Sequence, residues 1–160
     1  MEVFDFRDGY FPEAFRAIKE VFRGLPDSID PDVIFTHWGR DLHQDHPLIS
    51  ELTGQAFRDH LILQYEMLKY DGDLGAPNVY VPVGREAADR MVEYLLKAFA
   101  SQQGKYWFTR DTFEALMRVR GVESRSASGF AEAFYGDNRA RVGRSGVTRS
   151  PVTEERLQAS

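Results

Sequence analysis

A chain of 160 residues, 42% apolar and 28% charged, has the length and balance of one folded domain. Its net charge of −5 argues against a general electrostatic grip on nucleic acid. The absence of cysteine excludes disulfides, thiolate metal sites and a cysteine nucleophile. No apolar run approaches the roughly 18 residues of a membrane span, and the first residues lack the basic and apolar regions of a secretory signal. A soluble, cytoplasmic protein with no membrane span and no nucleic-acid partner is expected.

Phe11, Phe15, Ile18, Val21 and Phe22 follow the spacing of an amphipathic helix. Gly24-Leu25-Pro26 is expected to stop it. Asp32-Val33-Ile34-Phe35-Thr36 reads as a buried strand. A polar, His-rich segment from His37 to His46 follows, and Pro47 suits the first turn of a helix with Leu48, Leu52 and Ala56 inward. Leu61-Ile62-Leu63-Gln64-Tyr65 reads as a second buried strand. Residues 71–77 are loop chemistry, and Val79-Tyr80-Val81-Pro82-Val83 is extended, its proline indicating an edge strand or an irregular segment. Ala88, Met91, Val92, Leu95 and Phe99 mark a long helix. Phe113, Leu116 and Met117 mark another, with Thr109 as its N-cap and Gly121 at C′. Ala131–Tyr135 is a last short strand or a helical turn. Alternating strands and helices predict an α/β fold with a mostly parallel sheet.

Beyond Gly136 the chain has no aromatic residue and carries five arginines against three acidic residues. Residues 137–160 are expected to form a basic, disordered tail.

The chemistry concentrates in His37-Trp38-Gly39-Arg40-Asp41-Leu42-His43-Gln44-Asp45-His46, which holds three of the four histidines. It lies between a strand and a helix, where ligand crevices form in open α/β sheets. In a turn-like backbone, His43 and His46 are spaced to share one side. One neutral imidazole can ligate a cation. The other, held by a carboxylate, can carry the charge that stabilises a substrate oxygen. Asp41 and Asp45 are the local carboxylates. His37 alone is expected to be structural, and a His-x-Asp-His spacing alone often does no more than open a helix. Tyr65 and Glu66, at a strand end, are candidates for the wall of a substrate pocket, and Arg58 for a contact to a substrate phosphate or hydroxyl. Tyr106-Trp107-Phe108 is read first as core packing and second as a platform for stacking a sugar ring.

Phe35-Thr36-His37 followed by Asp41-Leu42-His43-Gln44-Asp45-His46 resembles the second signature of the PIG-L/LmbE-type zinc N-deacetylases. Leu63-Gln64-Tyr65-Glu66, Pro77-Asn78-Val79-Tyr80-Val81, Ser101-Gln102 and Ala131-Glu132-Ala133-Phe134 resemble later blocks in the same order. The resemblance implies a Rossmann-like α/β fold with helices on both faces of a mostly parallel sheet. It implies zinc as cofactor and removal of acetyl from N-acetylglucosamine-type sugars or glycoconjugates. His46 would then be a zinc ligand, His43 the imidazole that meets the oxyanion, and Asp45 its partner. The family's first signature, Ala-His-Pro-Asp-Asp-Glu, supplies two zinc ligands and the general base, and it does not occur in this sequence. Residues 1–136 thus resemble the C-terminal part of a deacetylase domain whose N-terminal strand–helix units are missing, and the chain alone is expected to be inactive. The alternative is a glycan-binding remnant without tightly bound metal.

Overall fold

The computed structural model describes residues 2–136. The tail, 137–160, lies outside the described residues. The elements in chain order are α1 (Phe15–Ser28), β1 (Val33–His37), α2 (Asp45–Ala56), β2 (Leu61–Tyr65), β3 (Val79–Pro82), α3 (Arg85–Ala98), α4 (Arg110–Glu123) and β4 (Ala131–Gly136). A 3₁₀ turn, Ala100–Gln102, follows α3. The protein is a mixed α/β fold. No helix among the described residues is long and apolar enough to cross a membrane.

The four strands form one sheet in the order β1-β2-β4-β3. β1 and β2 run parallel, with Val33 opposite Leu61 and His37 opposite Tyr65. β4 is antiparallel to β2 on one side and to β3 on the other. The expectation of a mostly parallel sheet is therefore corrected: among the described residues, one of three pairings is parallel. The cause is topological. A parallel pair needs a crossover, and α2 supplies one between β1 and β2. β4 instead arrives after the α3–α4 pair and inserts between β2 and β3 from the opposite direction. β3 is an edge strand, as its proline indicated, and Ala131–Tyr135 resolves as strand.

The helices form two pairs. α1 packs on α2, and α2 packs on β1. There the hydroxyls of Thr36 and Thr53 share a buried hydrogen bond of 3.1 Å. α3 packs on α4, and α4 packs on β4. Ala88, Val92, Phe108, Phe113, Met117 and Phe130 form the core of this second half. Thr109 caps α4 as expected, accepting the backbone N–H of Thr112.

Two helix ends differ from expectation. α1 runs through Pro26 to Ser28. Proline removes one donor to the preceding turn, but the Ile29 N–H still reaches Leu25 O at 3.0 Å and the Ser28 hydroxyl reaches Leu25 O at 2.9 Å. Gly121 lies inside α4 rather than past its end. Its role is close approach: a Cβ there would overlap the carbonyl of Gly129 in the turn before β4.

Candidate functional site

β1 and β2 end in register, so His37 and Tyr65 leave the sheet side by side. The Tyr65 hydroxyl lies 3.2 Å from His37 Nε2. The chain then turns through residues 38–44, and α2 opens at Asp45 with Pro47 in its first turn. This brings three histidines together. The His46 ring lies parallel to that of His37, with centroids 3.8 Å apart and planes within 6°. The His43 ring stacks on His46 at 4.5 Å and 27°. The side-by-side placement of His43 and His46 that their spacing predicts is present, and His37 joins them.

Asp41 ties the cluster together. It is 5% exposed. Its Oδ2 lies 2.9 Å from His46 Nδ1, and its Oδ1 lies 3.0 Å from Lys69 Nζ. Oδ1 also accepts the backbone N–H of His43 at 2.8 Å. Lys69 reaches Asp73 at 2.5 Å as well, and Asp73 accepts the Leu42 N–H at 2.9 Å. The two loops, 38–44 and 66–75, are thus clamped through one half-buried cation and two carboxylates. Asp45 is 2% exposed, and it accepts the backbone N–H groups of Gly9 at 2.6 Å and Phe11 at 3.1 Å. Its own N–H points at His43 Nδ1 over 3.4 Å. That contact favours the tautomer with the proton on His43 Nε2. Ligand atoms of Asp8, His43 and Asp45 fall within 4.8 Å of one another, with Asp8 exposed.

The electrostatics follow from burial and charge. Burial is the largest influence on His37, and the neighbouring His46 adds to it, so its pKa falls to about 4. His37 is therefore a neutral ring at physiological pH. For Asp41, burial pushes the pKa up, but the close approach of His46, the hydrogen bond from the His43 backbone and the Lys69 ammonium outweigh it and hold the carboxyl below its usual range. For Lys69, burial pulls the pKa down and the carboxylates of Asp73 and Asp41 more than reverse it. Tyr65 is raised by burial and by Asp41.

The other candidates separate. The Glu66 side chain is 4% exposed, and its carboxylate is taken by Arg120 at 2.8 and 2.5 Å and by the Tyr135 hydroxyl at 3.0 Å. Arg58 is exposed just past the far end of α2, about 18 Å along the helix axis from its opening turn. The structure does not bring it to the histidines. Sequence reasoning missed Lys69. The available signal was its i, i+4 spacing to Asp73 in Lys69-Tyr70-Asp71-Gly72-Asp73, which marks a paired lysine but not its reach to Asp41.

Fold and site together define a mixed α/β protein with a histidine–aspartate cluster at the ends of its parallel strand pair. No family model matches the chain, and no curated protein does. Among solved structures it is similar to the conserved protein TT1542 from Thermus thermophilus, with a TM-score of 0.57 and 20% identity over 88% of this chain and 67% of that one. A likeness at that identity speaks to the fold alone.

Proposed function

We propose that this chain carries part of the active site of a zinc-dependent N-deacetylase of the PIG-L/LmbE type, acting on N-acetylglucosamine-type sugars or glycoconjugates. The observation that supports this reading is the juxtaposition of His43 and His46, 4.5 Å apart, with Asp41 on His46 Nδ1.

The donor chemistry at His46 fits zinc. A metal-bound imidazole carries a carboxylate or carbonyl on its second nitrogen. Asp41 Oδ2 approaches Nδ1 to 2.9 Å without completing a hydrogen bond there, so it is placed for that role and Nε2 is left for a cation. A catalytic zinc takes three protein ligands, and the resemblance draws the other two from a block this sequence does not contain. When bound, zinc supplies a water of lowered pKa and a polarised carbonyl. The remaining roles belong to this chain. His43, with Nδ1 turned to the Asp45 N–H, presents its Nε2–H to the oxygen on which charge develops. The Asp45 carboxylate is not the partner of His43 that the resemblance implies: it accepts the Gly9 and Phe11 N–H groups and fixes that segment against the opening of α2, and only the Asp45 backbone N–H meets the His43 ring. Asp41 and Lys69 hold His46 in place, and Tyr65 fixes His37 beneath it. The Rossmann-like part of the expectation rests here on the parallel β1–β2 pair alone.

Zinc titration of the purified chain and of His46→Ala tests the proposal. Zinc affinity is expected to fall at least about tenfold in the variant, the scale seen when even supporting groups of a metal site are removed. Acetate release by the chain alone is not expected. Equal zinc affinity in both proteins would refute the assignment of His46 and leave the metal-free glycan-binding alternative.

A further inference from the structure

Among the described residues the sheet ends in two open edges, β1 and β3. An edge strand presents a row of unpaired N–H and C=O groups to any strand that approaches, and proteins guard such edges with proline, charge or a cover. β3 is guarded, because it ends in Pro82, which has no N–H to offer. β1 is not. Val33-Ile34-Phe35-Thr36-His37 holds no proline, lysine, arginine or acidic residue. Beside it lies a groove of about 420 Å³, whose apolar lining includes Phe22 and Leu25 of α1 together with Ile29, Val33, Phe35 and Phe57.

Successive side chains of β1 point to opposite faces of the sheet. Thr36 turns toward α2, where it meets Thr53. Phe35 turns to the other face and is 56% exposed. Its ring leans on Phe134, with centroids 5.5 Å apart, and the rest of it is bare. An apolar ring at the centre of an unguarded edge invites a partner strand.

Charge selects that partner and its direction. Asp30 and Asp32 precede β1, and Arg40 follows it. Arg40 is exposed, and no carboxylate among the described residues pairs with it. A second copy of β1 laid antiparallel brings its acidic flank to Arg40, and the same contact recurs at the other end. Laid parallel, the two copies would set like charge beside like. The strand is also self-complementary about its middle residue. With Phe35 opposite the partner's Phe35, Val33 meets the partner's His37 and the whole of β1 is paired.

We infer that β1 is a homodimer interface, in which two copies pair antiparallel along this edge about a two-fold axis at Phe35. The two sheets become one continuous sheet with a β3 strand at each end. The contact is isologous and uses up both unguarded edges, so it closes at two copies instead of growing into a fibre. None of the zinc chemistry enters the inference, which stands or falls apart from it.

Sedimentation velocity of the 160-residue chain tests it. Between about 1 and about 500 μM, the range in which a small interface dissociates, the mass is expected to rise from 18.3 kDa to twice that value and stop there. Phe35→Lys places on the edge the charge that guarded strands carry. Arg40→Glu makes each end repulsive at an exposed residue, where the fold has least to lose. Each variant should raise the dimer Kd at least about tenfold, with circular dichroism and Tm unchanged in Arg40→Glu. Because the chain has no cysteine, an introduced one reports its own neighbours. Phe35→Cys should form a disulfide-linked dimer under mild oxidation, since directly opposed Cα atoms lie ~4.5–5.5 Å apart, within the span of a disulfide. Val81→Cys, exposed on the guarded β3 edge, should not. A chain that stays monomeric throughout, a dimer indifferent to Arg40→Glu, equal cross-linking by the two cysteine variants, or growth beyond two copies would each overturn the inference.

Discussion

Replacing Arg120 by methionine should be among the most damaging single changes in the second half of the fold. Arg120 is 4% exposed on α4. Its guanidinium makes a bidentate pair with Glu66, at 2.8 and 2.5 Å, across 54 residues of sequence. It also donates to Glu123 at 2.8 and 3.0 Å and to the Gly75 carbonyl at 3.1 Å. Burial opposes its charge, but the hydrogen bonds to Glu66 and Glu123 win and raise its pKa further. Methionine fills a similar volume and removes all five bonds. The Glu66 carboxylate, 4% exposed, would keep only the Tyr135 hydroxyl. Breaking one side of a buried pair costs about 3–5 kcal/mol, because a charge is left without its partner. For a domain of this size that is a fall in Tm of roughly 10–15 °C. Urea denaturation followed by circular dichroism reads the loss directly. The double variant Arg120→Met/Glu66→Gln should be less destabilised than Arg120→Met alone, since the stranded charge is gone. A cost below about 1 kcal/mol for Arg120→Met, or strict additivity in the double variant, would refute the reasoning.

Two further changes probe other parts of the packing. Gly121→Ala should destabilise the protein by at least about 1–3 kcal/mol, despite alanine's higher helix propensity, because the new methyl meets the rigid Gly129 backbone rather than a movable side chain. A stabilised variant by thermal melting would show that this contact relaxes. Glu132 is pushed above the usual carboxyl range by burial. A folded-state pKa above the unfolded one means that the folded state holds its proton more tightly. That contribution is complete below the unfolded pKa near 4.5 and is lost as pH rises through the folded value. Glu132→Gln should therefore be more stable than wild type at pH 7, with the gain shrinking as the pH is lowered. A gain that is the same at pH 7 and pH 4, or absent at both, would count against burial as the cause.

The sequence made the local elements readable where one signal dominated. The run Leu61–Tyr65 is a strand with the predicted boundaries, and Thr109 caps its helix, because apolar continuity and a hydroxyl at the cap act within a few residues. The proximity of His43 and His46 was legible for the same reason, since it follows from a three-residue spacing. What could not be read was partnership at a distance. Nothing in Ala131–Gly136 says that it lies between β2 and β3, and hydrophobic pattern carries no strand direction, so a parallel sheet was inferred where a mixed one formed. Lys69 and Asp41 are 28 positions apart, and Glu66 and Arg120 nearly twice that; each pair is set by the fold and not by local sequence. Pro26 and Gly121 misled because each has a usual meaning that neighbouring contacts overrode.

Among the described residues β3 pairs with β4 alone, although some fifty residues of chain separate them. During synthesis, β1 and β2 can zip together early, while β3 must wait for β4 to leave the ribosome. Non-local pairing of this kind is slow, and a waiting strand is open to wrong partners. The second half of the protein is thus the part whose birth is delayed, and the part for which a chaperone on the nascent chain would matter most.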